Sequence, residues 1–190
     1  MSRIIKAKEL RSENTVELAR WLLGKHLVVH AAGGVRLARR ITETEAYHGP
    51  EDRACHASKG RTARTGVMFG DAGHWYVYLC YGVHEMLNLV TGPRDWPAAV
   101  LIRGLEGING PGRLTRALGI DRARFNTRPA TPATGLWLED DGLAVPAGEV
   151  QATPRIGVAY AGPEWAAKPW RFVWTEGGRA GLILEHFLII

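Results

Sequence analysis

Along the chain, apolar residues recur mostly with the two-residue period of strands and only in places with the spacing of a helix. Asn14 and Thr15 make a cap signal ahead of VELARWLL, where Val16, Ala19 and Leu23 share a helical face and Gly24 ends the turn. KHLVVH and GVRLARRI follow around Ala-Ala-Gly-Gly, which predicts a hairpin. The second run continues into a strand whose alternation puts Ile41, Glu43, Glu45 and Tyr47 on one face and Thr42, Thr44 and Ala46 on the other. Carboxylates beside an aromatic on one strand face suit a site better than a plain core. Residues 48–65 then read as a loop containing Gly49-Pro50, Glu51, Asp52, Arg53 and His56.

From Arg61 a short basic run crosses a glycine-marked turn into a strand that places Tyr76 and Tyr78 on one face. Gly82 follows Tyr81, and Leu87, Leu89 and Val90 resume the apolar pattern, so strand, tight turn and strand are predicted with Tyr81 near the tip. Two readings of that tip stand side by side: a core strand with an edge aromatic, or an aromatic wedge for a nucleic-acid stack. AAVLIRGLE predicts a central strand from Ala98 to Arg103, and GPGRLTRALGI a short helix with Pro111 at its start and Gly119 past its end. Residues 121–135 read as an exposed connection, and LWLEDDGLAVP and EVQATPRIGVAY as two more strands. Many short strands with two or three helices and no repeat imply an α+β fold in a single mixed domain over residues 1–190.

Composition narrows the class. At 190 residues the chain is long enough for a sizeable core, and a net charge of +5 leans towards a polyanionic partner. Two cysteines, Cys55 and Cys80, make no disulfide framework, which points to a reducing compartment. No apolar run reaches the roughly 18 residues of a membrane span, and the charged start MSRIIKAKELRSEN has no signal-peptide core. A cytoplasmic protein without membrane contact is expected, nucleoid-associated if bacterial.

Candidate chemistry rests on Glu43, Glu45, His48, His56, His74, His84, Asn88 and Arg103, since no phosphate loop, nucleophile elbow or C-x-x-C pair is present. Arg103 would be costly to bury alone, so a carboxylate partner, Glu43 or Glu45, is expected across the sheet. Glu45, His48 and His56 offer a competing use as metal ligands, but their spacing matches no helical ligand pair.

TEAYHGPEDRACHASKGRTART, MFGDAGHWYVYLCYGVHEMLNLVTG, AAVLIRGLE, GPGRLTRALGI and PRIGVAYAGPEWAAKPWRF, in that order over residues 18–172, resemble the alkyladenine type of 3-methyladenine DNA glycosylase. The resemblance implies a curved antiparallel sheet with flanking helices and a protruding DNA-inserting hairpin. It implies a monofunctional, cofactor-free and metal-free monomer acting on double-stranded DNA that contains damaged purines. Such an enzyme flips the purine into a pocket and hydrolyses its N-glycosidic bond. By the same resemblance Glu45 is the general base, Arg103 helps hold its water, and a backbone carbonyl near Ile156 assists. Tyr47, His56 and Tyr78 correspond to the pocket walls, Asn88 to the residue that excludes guanine, and Tyr81 to the wedge. Arg61 and Arg64 are DNA-binding candidates in the basic run. A non-catalytic damage sensor with the same pocket is the competing class.

This chain departs from the family pattern in three places. Thr62-Ala63-Arg64-Thr65 stands where the family often has T-P-R-T, so one backbone restraint is expected to be missing. Val83 and His84 carry no implied role, and residues 175–190 do not resemble the family's usual close.

Overall fold

One 13-residue strand, Arg36–His48, is the spine on which the other elements are arranged. The computed structural model describes residues 2–175. In chain order the elements are β1 (Arg3–Ile4), α1 (Ala7–Leu10), α2 (Thr15–Trp21), β2 (His26–His30), β3 (Arg36–His48), β4 (Trp75–Cys80) and β5 (His84–Val90). Then come β6 (Ala98–Leu105), β7 (Ile108–Asn109), α3 (Pro111–Leu118), α4 (Arg122–Phe125), β8 (Leu136–Asp140), β9 (Val150–Thr153), α5 (Pro163–Ala167) and β10 (Arg171–Trp174). The strands form one mixed-length antiparallel sheet in the order β1-β8-β2-β3-β6-β5-β4, with β10 branching from β3 to β9 and β7 from β6. With its flanking helices this is the α+β architecture expected from the strand-rich pattern.

The first half of β3 pairs with β2 and the second with β6, while Glu43–Glu45 also pairs with β10 on the opposite side. Register slips around Glu43 mark a bulge, and a bulge changes which residues share a face. Ile41 therefore joins Ala46 in the main core, and Thr44 reaches the Ala19 carbonyl on the same side. The expected grouping of Ile41 with Glu43, Glu45 and Tyr47 is corrected here: simple alternation fails across the extra residue. Gly104 makes room for the kink, because a Cβ there would lie 3.0 Å from Glu43 Cβ.

Other expectations need smaller corrections. Asn14 caps α2 by accepting from the Glu17 amide, and Ala19 and Leu23 enter the main core with Val16 packed against it, but Thr15 and Leu18 are buried as well. The β6 strand runs to Leu105, past Arg103, because the bulged β3 still pairs there. Residues 121–135 are not an exposed connection: Phe125 is fully buried and the Asn126 side chain accepts from the Val77 amide, bracing β4. Of EVQATPRIGVAY only Val150–Thr153 is strand; the remainder wraps the site described next. Residues 176–190, which hold most of the unassigned tail, lie outside the described residues.

Two cores share the sheet. Trp75, Val77, Leu87 and Leu89 face the main core with α2 and α3 residues, while Tyr76 and, at its edge, Tyr78 join Cys55, Met68, Val90 and Ala99 in a second cluster. The period-two alternation of β4 and β5 thus separates structural side chains from those available to a cavity.

Candidate active site

The second cluster opens into a cavity of about 460 Å³, lined by Tyr47, His56, Tyr78, Asn88, Arg103 and Ile156 among others. Beneath its wall lies Glu45, with 0% exposure. Glu45 Oε2 accepts from the Tyr47 hydroxyl at 2.9 Å and Oε1 from the Ile156 amide at 2.8 Å. Arg103 Nη1 stands 3.4 Å from Oε1, and Arg103 Nε donates to Glu43 Oε1 at 2.8 Å. Glu43 Oε1 also accepts from Arg171 Nε at 2.6 Å. Two carboxylates and two guanidiniums therefore alternate across β3, β6 and β10, and both partners expected for Arg103 are engaged.

Burial pushes the Glu45 carboxyl above its ordinary value, against the opposing pulls of Arg103, the Ile156 amide and the Tyr47 hydroxyl. Burial and then the Glu45 charge hold the Tyr47 hydroxyl well above its usual range, so it remains a donor. Near Ile156 the observed contact is an N–H donated to the carboxylate, whereas the expected backbone group was a carbonyl for a water.

The walls are largely aromatic, with the Arg64 and Arg103 guanidiniums also in the lining. His56 meets Tyr78 edge to face at 4.7 Å between centroids, and its Nδ1 is 3.2 Å from the Tyr76 hydroxyl. Burial, with the Arg64 charge adding to it, pushes the His56 imidazole down to about 4, so it is neutral at pH 7. Asn88 Nδ2 donates to the Tyr76 and Met86 carbonyls at 3.2 and 3.3 Å, which clamps the amide at the cavity edge.

Tyr81 sits on the turn between β4 and β5 with 94% exposure, which excludes the core-strand reading of this aromatic. Tyr81 and Gly82 have φ of 50° and 71°, the left-handed conformation that a tight hairpin turn demands. Gly82 meets it without strain and Tyr81 does not, so the tyrosine occupies a position that backbone preference alone would not choose. Arg64 lies with its guanidinium 4.8 Å from the Tyr78 ring centre and lines the cavity. Arg61 stacks on Phe69 at 4.7 Å and pairs with Asp95 on the surface, so its charge is partly matched within the chain. Thr62 and Thr65 exchange amide-to-hydroxyl bonds of 2.9 and 3.1 Å, which restrains the loop without the missing proline.

The geometry also brings in residues that pattern reading passed over. Asp52 and Arg155 form a buried pair behind Tyr47, and Tyr160, lining the cavity, donates to the Ala54 carbonyl at 2.8 Å. Asp52 and Arg155 stand 103 positions apart, so no local spacing links them; the Asp-x-Ala turn that captures the Ala54 amide was the one signal available. His48 packs edge-on between Trp96 and Trp170 instead of meeting His56, and among the described residues no three His, Cys, Asp or Glu side chains gather as a metal set. No helix among the described residues is long and apolar enough to cross a membrane.

The sequence profile described as Methylpurine-DNA glycosylase (MPG) matches residues 9–177. A protein of Anaeromyxobacter dehalogenans (strain 2CP-C) is 51% identical over 168 residues, covering 85% of this chain and 79% of its own length. One from Methanocella arvoryzae is 49% identical over 178 residues, covering 83% and 86%, and one from Chlamydia pneumoniae 40% over 184, covering 85% and 90%. All three carry the name "Putative 3-methyladenine DNA glycosylase". The match extends beyond residues 18–172 at both ends, and the chain belongs to the methylpurine-DNA glycosylase family.

Proposed function

We propose that this protein is a monofunctional DNA glycosylase that turns an alkylated or deaminated purine out of duplex DNA and hydrolyses its N-glycosidic bond. The observation that carries the reading is the buried Glu45 carboxylate, held by Tyr47, Ile156 and Arg103 against an aromatic cavity. Two hydrogen-bond donors, the Tyr47 hydroxyl and the Ile156 amide, and the Arg103 ion pair meet a group with about four lone-pair positions, which leaves an acceptor position for a water.

In this mechanism the water oxygen attacks the sugar C1′ as the bond from C1′ to the purine nitrogen breaks. The bond's electron pair leaves with the purine, Glu45 accepts the water's proton, and an abasic sugar remains. The carboxylate serves twice, as base and as counter-charge to the oxocarbenium-like sugar. The Arg103 charge favours the ionised form of Glu45, and its guanidinium orients the water. Tyr47, His56 and Tyr78 supply π faces for the purine, and a neutral His56 adds no charge against a cationic alkylated base. Asn88, pinned by two backbone carbonyls, is a fixed obstacle to the amino group of guanine. Tyr81 fills the gap in the stack, while Arg64 and Arg61 contact backbone phosphates.

The test is a duplex with one defined lesion, incubated with purified protein and then treated with hot alkali. Strand scission at the lesion, lost in Glu45→Gln, is the expected result. Scission without alkali would replace the monofunctional mechanism with a lyase, and retained binding without scission in the parent protein would favour a damage sensor.

A further inference from the structure

The ion pair between Asp52 and Arg155 is wholly enclosed, and the chemistry above leaves it without a task. Both side chains have 0% exposure. Arg155 Nη1 donates to Asp52 Oδ2 at 2.6 Å and to the Ala46 carbonyl at 2.8 Å. Its Nη2 donates to Asp52 Oδ1 at 2.9 Å and to the Trp165 carbonyl at 3.3 Å. Asp52 accepts in addition from the His48 and Ala54 amides at 3.1 and 3.0 Å. Within the guanidinium only Nε lacks a partner among the described residues.

Those contacts fall on the segments that carry the site. Ala46 lies between Glu45 and Tyr47, Ala54 leads to His56, and Ile156, next in the chain after Arg155, gives its amide to Glu45. The guanidinium also lies 4.9 Å from the centre of the Tyr47 ring and 5.0 Å from that of Trp170. A buried pair that merely tied loops together could be replaced by apolar packing at little loss. This one touches, or adjoins in sequence, both residues that hydrogen-bond the Glu45 carboxylate.

We propose that Arg155, anchored by Asp52, is a positioning residue that holds the Ile156 amide and the Tyr47 hydroxyl against the Glu45 carboxylate. The inference rests on the reading of Glu45 as the base. The charged and titratable groups facing Glu45 are Tyr47 and Glu43 from β3, Arg103 from β6 and Tyr160 from the loop after Ile156, with Arg171 of β10 acting through Glu43. The Ile156 amide favours the ionised form, so loosening it raises the carboxyl's titration midpoint.

Arg155→Lys is the main test, because it keeps the charge opposite Asp52 but lacks the planar fork that spans Asp52, Ala46 and Trp165 and stacks on Tyr47. The Glu45 carboxyl, followed by carbon NMR in DNA-free protein, should titrate at higher pH than in the parent. Single-turnover excision from a lesion duplex should fall about 10²-fold, as for an angstrom-scale misplacement, with its acid limb moving up in pH and lesion affinity unchanged. The double variant Asp52→Asn with Arg155→Gln, which leaves no stranded charge, should behave alike. Either variant, folded, titrating and excising as the parent does would overturn the proposal; so would failure of both to fold, which would assign the pair to the fold alone. Glu45→Gln in parallel keeps the two readings apart: if it still excises, the base assignment fails, while the NMR titration decides the role of Arg155 independently.

Discussion

The strand beneath the cavity wall, its floor, and the tip of the hairpin hold the two side chains proposed to act, Glu45 and Tyr81, in opposite ways. At the floor, Glu45 is fully buried, its strand is paired on both edges, and both carboxylate oxygens have donors. At the tip, Tyr81 is 94% exposed on a two-residue left-handed turn. Burial with satisfied partners gives a fixed position and a shifted pKa, which chemistry needs. Exposure of a large ring on a strained turn gives the folded protein nothing. In the proposed role, its contribution comes when DNA covers it. Floor and tip should therefore fail differently when altered.

The largest effect is expected at the floor. Glu45→Gln keeps the shape and removes the proton acceptor, so single-turnover excision should fall by about 10²–10⁴-fold from loss of the base alone, with lesion-duplex binding nearly intact. In the parent, the acid limb of the pH–rate profile should lie above the ordinary carboxylate range, because burial raises Glu45 and the base acts only when ionised. Excision by the variant within tenfold of the parent would dissolve the contrast between floor and tip.

Tyr81→Ala comes next. Losing a substitute for stacking should return a few kcal/mol to the unflipped helix, cutting excision from well-paired duplex about 10²-fold and from a mismatched lesion much less. The melting temperature should stay put, whereas truncating a buried aromatic costs about 3–5 kcal/mol. A large drop in melting temperature with equal losses on both substrates would make the tip structural.

Between floor and tip, Asn88→Ser should raise release of undamaged guanine relative to 3-methyladenine by about tenfold, since a pocket contact of this size is worth roughly 1–3 kcal/mol. An unchanged ratio with lower stability would reduce Asn88 to its two backbone hydrogen bonds. The smallest effect concerns His56, whose imidazole is held down to about 4. A depressed folded pKa contributes stability that is present above the unfolded value of about 6.5 and is lost as pH falls towards the folded one. The melting temperature of the parent should thus decline over that window more than that of His56→Phe, and the ring should titrate by NMR near 4.

The tip was legible because everything that makes it is local. Tyr76 and Tyr78 alternate with core residues, Gly82 marks the turn, and an aromatic beside it has no core to enter. The spine was legible only in part. Its carboxylates and Tyr47 follow the strand period, but the bulge at Glu43 moves Ile41 to the other face, and a bulge has no two-residue signature. Residues 121–135, polar and rich in proline and threonine, hide two buried residues, Phe125 and Ala130, both in the main core. Asp52 and Arg155 were invisible for a related reason: long-range ion pairs depend on which segments the fold brings together, and no spacing encodes that.

Glu43–Glu45 is hydrogen-bonded to β6 on one edge and β10 on the other, which has a consequence for inactivation. Amide protons in such a doubly paired strand exchange with solvent mainly through the openings that dismantle the whole sheet. Heating can fray the hairpin or the surface loops reversibly, but the Glu45 backbone is released only with the rest of the sheet. Thermal loss of the proposed base and loss of the fold are then one event with one rate, and a warmed sample contains intact floors and unfolded chains with few states between.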